Sequence, residues 1–158
     1  MAYGRKKGVH ARTPMEKGQV VRGTTGGIKI ALVYPNTYRA GMSSLGFQKV
    51  FQLFNAMDGM DCERVFLPEP PSPARSCETG RELGSFDIIA FSISFENDYA
   101  NLVTLLDTAG IPIRQNQRNE RHPLVMAGGW PVFLTRNPWP PSWTVSCWGK
   151  LKTRCNFF

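Results

Sequence analysis

Three short stretches of this sequence hold the side chains that could do chemistry. The first, YPNTYRAGMSSLGFQ (34–48), places Asn36, Tyr38, Gly41, Met42 and Ser43 directly after an apolar run. The second, SISFENDY (92–99), carries Ser92, Ser94, Glu96, Asn97 and Asp98, and the third is the pair Gly128 and Gly129. The first stretch is not G-x-G-x-x-G, and Gly41-x-x-x-x-Gly46 lacks the Lys-Ser/Thr that a P-loop requires, so neither phosphate-cradling turn is available. A phosphoacceptor site needs acids clustered after the first strand, and only Asn36 stands there. Glu96, Asn97 and Asp98 have the look of a catalytic trio. The simpler reading is that Asn97 or Asp98 caps a helix while Glu96 enters a binding rim or pairs with an arginine. A metal site is not expected: His10 and His122 lie in polar segments, and Cys62, Cys77, Cys147 and Cys155 follow no zinc or disulfide spacing. Reduced thiols and the absence of an apolar export segment fit a cytoplasmic protein.

The elements that must position these residues alternate. IKIALVY (28–34) is a continuous, β-branched apolar run, as for a strand buried on both faces, and Pro35 ends it. From Ser44, Phe47, Val50, Phe51 and Phe54 fall at i, i+3, i+4 and i+7, which predicts a helix capped by Ser43 or Ser44 and fading near Asn55. CERVFLP (62–68) reads as a second strand, the proline-rich stretch after it as loop, and DIIAFSISF (87–95) as a third strand. A helix follows, with Leu102, Val103, Leu105, Leu106 and Ala109 on one side and Gly110 as its left-handed stop. PLVMAGG (123–129) is a fourth strand. This order implies parallel strands joined by right-handed crossovers, an α/β sheet that binds ligands beyond the carboxyl ends of its strands. Those ends are 35–44, 92–98 and 128–132, all polar or glycine-rich.

The 158 residues suit one domain, and no apolar window is long enough to span a membrane. The net charge of +7 is concentrated at the ends: 1–29 carry +6, 136–158 carry +4, and 30–135 carry −3. A nucleic-acid surface would be built into the folded body, so these charges read as solvated tails and no nucleic-acid partner is expected.

Asn36-x-Tyr38-x-x-Gly41 has the position and spacing of the D-x-H-x-x-G motif of cobalamin-binding domains, whose His ligates cobalt. Gly128 and Gly129 match a further element of that pattern, and Ser92 and Ser94 stand where such domains use small hydroxyl side chains. Singly, a glycine pair is an ordinary turn and a strand serine is tolerated packing. Four blocks in order, ALVYPNTYRAGMSSLGFQ, ERVFLP, FDIIAFSISFENDYANLVTLLDTAGIPI and PLVMAGG, resemble the N-terminal region of a family of radical SAM proteins. In that family a cobalamin-binding-like domain precedes an iron–sulfur barrel.

The resemblance covers about residues 28–138. It implies a Rossmann-like or flavodoxin-like open parallel sheet of cobalamin-binding type, incomplete at its C-terminal edge, after a polar basic lead-in (1–27). The implied cofactor-side residues are Asn36, Tyr38, Gly41, Met42, Ser43, Ser92, Ser94, Glu96, Gly128 and Gly129. The family's first block is similar to YPDTYxxGMSxLG, so Asn36 replaces an Asp while Tyr38 stands in the His slot. A phenol ionises near 10 and cannot act as imidazole does, so any cobalamin would bind base-off, without a ligand from this loop. The 4Fe–4S cluster and S-adenosylmethionine belong to the full-length family only. The C-x-x-x-C-x-x-C loop is absent from this sequence, and the implied partner is the chain's own missing barrel.

Residues 139–158 depart from the family's continuation, which is similar to NPEPLAPFxDxFVIGEGE. If the codons for PSWTVSCWGK are read one base early, Trp143-Thr144 forces an Asp and Trp148-Gly149 forces a Gly. The remaining positions permit Phe-Met-Asp-Cys-Phe-Val-Leu-Gly-Glu, so a frameshift at about 136–141 is expected. The leading functional reading is a cobalamin-type domain of a radical SAM enzyme, inactive alone. The alternative is a non-catalytic docking or small-ligand module.

Overall fold

The computed structural model describes residues 26–68 and 72–129. All but the last two residues of the lead-in, and the departing tail, lie outside the described residues. The first apolar run is β1 (Ile28–Tyr34), with the expected bounds. It is followed by a short helix α1 (Tyr38–Met42), then α2 (Leu45–Ala56), β2 (Met60–Phe66), β3 (Ile88–Ser92), α3 (Asp98–Thr108) and β4 (Leu124–Gly128). The four strands form one sheet in the order β2-β1-β3-β4, and each neighbouring pair is parallel. The chain order reverses between β1 and β3, which makes the carboxyl end of that pair the switch point of an open α/β sheet. The fold class read from the sequence is therefore the one observed.

Parallel strands bury both faces, and two apolar layers do so here. On one face Ala31, Val33, Val65, Ile89, Phe91 and Val125 pack with Leu102, Leu105 and Leu106 of α3 and with Leu83 and Phe86 of the β2–β3 connection. On the other, Ile30, Leu32, Tyr34 and Phe66 pack with Phe47 of α2. Phe47 meets Tyr34 edge-on at 5.4 Å between ring centroids and tilts against Phe66 at 5.5 Å. Each such side chain, fully withdrawn from water, contributes about 1.5–3 kcal/mol. Only Phe47 of the expected α2 stripe is fully buried; Phe51 and Phe54 pack against the same layer partly buried, and Val50 is exposed.

The helix ends follow local chemistry. Ser44 caps α2, its hydroxyl accepting from the Phe47 N–H at 3.3 Å. Gly110 takes φ +67 beyond α3. The Gly110 and Ile111 amides then reach back to the carbonyls of Asp107 and Leu106, both at 2.9 Å, a Schellman closure.

Three local expectations are corrected. The loop after β1 contains α1, because the Thr37 hydroxyl caps the Ala40 N–H and supplies a start that Pro35 hides in the sequence. The third strand stops at Ser92 instead of Phe95, where Ile93 makes one further bond to Gly128 and the chain turns into α3. Neither Asn97 nor Asp98 caps α3 forward: Asn97 makes no side-chain cap bond, and the Asp98 carboxylate reaches backward. Among the described residues no helix is long and apolar enough to cross a membrane.

Candidate functional site

The carboxyl rim of the sheet brings some of the expected site residues together and removes others. At the switch point the Asn36 amide donates to Asp98 Oδ1 at 3.4 Å, joining the loop after β1 to the start of α3. Asp98 is fully buried, and its Oδ2 accepts from the Ser94 and Phe95 amides at 3.0 and 2.9 Å. The Asp98 N–H in turn donates to the Phe95 carbonyl at 3.0 Å. The carboxylate of the first residue of α3 thus satisfies two amides of the turn that leads into the helix. A second tie runs from the Asn101 amide to the Pro35 carbonyl at 2.9 Å. The crevice between β1 and β3 is therefore bridged by the protein's own side chains.

Tyr38, Gly41, Met42 and Ser43 turn away from this crevice, toward β2 or into their own helix. The Tyr38 ring meets Phe66 edge-on at 5.1 Å and packs on the second apolar layer. A Cβ on Gly41 would run into the Phe66 ring and come within 3.1 Å of Tyr34 Cβ, so the missing side chain is what lets α1 lie on the sheet. Met42 Sδ accepts from Arg64 Nη1 at 3.2 Å. The Ser43 hydroxyl donates to the Arg39 carbonyl at 2.7 Å.

The other half of the rim is more open. Ser92 and Ser94 are half-buried, Glu96 is exposed, and Phe95 is 60% exposed on a loop that Asp98 holds. The paired glycines differ from one another. Gly129, at φ +134, lies where a Cβ would collide with the Ile93 carbonyl, so it serves the closure of β4 on β3. Around Gly128, next to Ser92 in register, a Cβ would meet nothing within 4 Å among the described residues.

The fit of cobalamin rests on these contacts. The slot that holds His in cobalamin-binding domains holds Tyr38, which is committed to Phe66, and the glycine that follows it is filled by the same ring. The turn after β1 therefore does not fit a cobalt-ligating cradle.

Reasoning from sequence missed the polar residues on β2. Glu63 and Arg64 are buried although β2 is an edge strand. Arg64 pairs with Glu78 at 2.7 Å and lies 4.8 Å from the Phe51 ring centre. Glu63 accepts from the Thr79 hydroxyl at 2.6 Å and stands 3.5 Å from Arg81. Burial, and then the neighbouring Glu63 charge, raise the pKa of Asp61. Burial, followed by the Glu78 charge, pushes the Cys62 thiol up to about 12, which keeps it protonated and unreactive. The available signal was the three charged residues, Asp61, Glu63 and Arg64, within DCERVF, hidden by the usual rule that buried strands are apolar.

A family profile described as radical SAM proteins, N-terminal, matches residues 46–149. The match takes in β2, β3, β4, Ser92, Ser94, Glu96 and both glycines, begins after the loop holding Asn36 to Ser43, and runs past residue 139. Neither the curated proteins nor the solved structures compared with it contain a match to this chain. With about two thirds of its length inside the profile, the chain belongs to the family of radical SAM protein N-terminal domains.

Proposed function

We propose that this chain works as a non-catalytic docking domain of a radical SAM protein, with the β3–β4 half of its carboxyl rim set against the catalytic barrel. The internal use of the turn after β1 carries this reading. Tyr38 and Gly41, which a cobalt-ligating cradle would need free, are taken up by Phe66, and Asn36 is taken up by Asp98. The sequence has no C-x-x-x-C-x-x-C run, so the iron–sulfur cluster and S-adenosylmethionine would belong to the barrel. What the rim offers a neighbouring domain is an exposed aromatic ring on a fixed loop, the kind of rigid anchor that dominates interface energy.

Hydrogen exchange tests this in a protein that joins the domain to its barrel. The amides of 94–97 and 128–129 are expected to exchange more slowly than in the isolated chain. Equal exchange in both would reject the rim as the docking surface.

One observation favours a second reading, cobalamin held base-off over the β3–β4 half: the open space before Gly128. Ser92, Ser94 and Gly128 would then face the corrinoid edge, and bound cobalamin would supply methyl-transfer or radical chemistry next to the barrel.

A further inference from the structure

Edge strands present outward N–H and C=O groups that invite pairing with another chain. In β2 these groups belong to alternate residues, because Ile28 donates to Gly59 and sets Asp61, Glu63 and Val65 toward β1. Met60, Cys62, Arg64 and Phe66 therefore face outward. The Met60 N–H reaches the Met57 carbonyl at 3.4 Å, Val65 bridges antiparallel to Ser76 beside Phe66, and the central pair is Cys62 and Arg64.

Both are already occupied. The Asn55 side-chain amide pairs with Cys62 as a strand residue would: Oδ1 accepts from the Cys62 N–H at 3.1 Å, and Nδ2 donates to the Cys62 carbonyl at 3.2 Å. A further bond from Asn55 Nδ2 to the Phe51 carbonyl at 3.1 Å fixes the amide on the end of α2. At Arg64 the N–H donates to Glu78 Oε2 at 2.7 Å, and the carbonyl accepts from the Cys77 N–H at 2.8 Å. The same Glu78 carboxylate binds the Arg64 guanidinium, so one buried acid seals backbone and side chain together.

β4 contrasts with this. Its outward residues are Val125 and Ala127, since Leu124 and Gly128 bond inward to β3. Neither makes a backbone hydrogen bond to another described residue.

We infer that Asn55 and Glu78 are edge guards, which close β2 against strand addition by a second copy of this chain. Asn55 closes one residue by imitating a peptide group, and Glu78 closes the next by attaching the 72–82 connection.

The test is the full chain carrying Asn55→Ala, Arg64→Leu and Glu78→Leu. Exchanging the buried pair for apolar residues avoids leaving a lone buried charge. Sedimentation equilibrium and site-resolved hydrogen exchange are read across protein concentration. The expected result is a monomer–dimer equilibrium in the variant alone, with the Cys62 and Arg64 amides exchanging about tenfold faster than in the parent at low concentration, as loss of a hydrogen bond would allow, and slowing again at high concentration. The inference is overturned by a folded variant that stays monomeric, by unchanged protection of those amides, or by the same concentration dependence in the parent. If circular dichroism shows that the triple variant is unfolded, Asn55→Ala alone carries the same test at Cys62, with the Arg64–Glu78 pair intact.

Discussion

The two halves of the carboxyl rim use similar residues to opposite ends. On the β1 side, the glycine and the hydroxyl and aromatic side chains of 36–43 are consumed by α1 and by Phe66. On the β3–β4 side, Phe95, Glu96 and Gly128 are exposed among the described residues, around a loop that Asp98 holds in place. A polar, glycine-rich loop at a strand end is thus not by itself a cradle. What matters is whether the space beside its glycines holds protein, and that can differ between Gly128 and its neighbour Gly129.

Substitutions on the two sides sharpen this contrast, and the largest effect is expected at Gly129. Gly129→Ala forces a side chain against the backbone of Ile93 at a positive φ and should cost about 3 kcal/mol, read as a shift of the urea midpoint. Asp98→Ala strips the Ser94 and Phe95 amides of their acceptor in a buried site and should cost about 2 kcal/mol. It should also raise exchange at those two amides before global unfolding. Gly41→Ala meets a side-chain ring instead of backbone, and gains helix propensity in α1, so a loss of about 1 kcal/mol is expected in the same titration. Gly128→Ala, with open space around it, should stay within about 0.5 kcal/mol of the parent. A loss at Gly128 matching that at Gly41 would erase the distinction between the two halves.

The smallest effect expected is one of pH, on the closed flank. Asp61 has a raised pKa, caused first by burial and then by Glu63, so the folded state holds its proton more tightly than the unfolded chain. Ionised Asp61 therefore lowers stability, and the loss grows as pH rises from the unfolded value, about 3.9, through the folded one. Asp61→Asn should stabilise the chain at pH 7, with the advantage shrinking toward zero as pH falls below that window. Stability curves of the two proteins between pH 3 and 7 check the sign.

Much of the scaffold was legible from residue pattern alone. The β-branched run at 28–34, the phenylalanine spacing after Ser44 and the Gly110 stop each report a backbone state set by near neighbours. The parallel sheet followed from the alternation of these elements, and the four blocks pointed to the family that the profile then matched.

What could not be read were contacts between residues far apart in the chain. Asn36 with Asp98, Asn101 with Pro35, and Gly41 against Phe66 depend on how loops land once the sheet exists. Asp98 carried a local signal, an acid three residues after Phe95 at the start of an apolar helix. That local pattern does not distinguish an acid capping forward from one whose carboxylate reaches back to the Ser94 and Phe95 amides. Asn55 looked like a fading helix end, and nothing near it in sequence indicates that its amide pairs with Cys62.

Titration of the full chain with hydroxocobalamin, followed by absorbance, addresses the division of the rim most directly. If the turn after β1 is packing and the open half is a protein-docking surface, the corrinoid spectrum stays unchanged and no cofactor is retained on gel filtration, even at high micromolar protein. A saturable spectral shift, lost on Tyr38→Ala but kept in Gly128→Val, would place a cofactor in the half that is filled by Phe66 and would contradict that division.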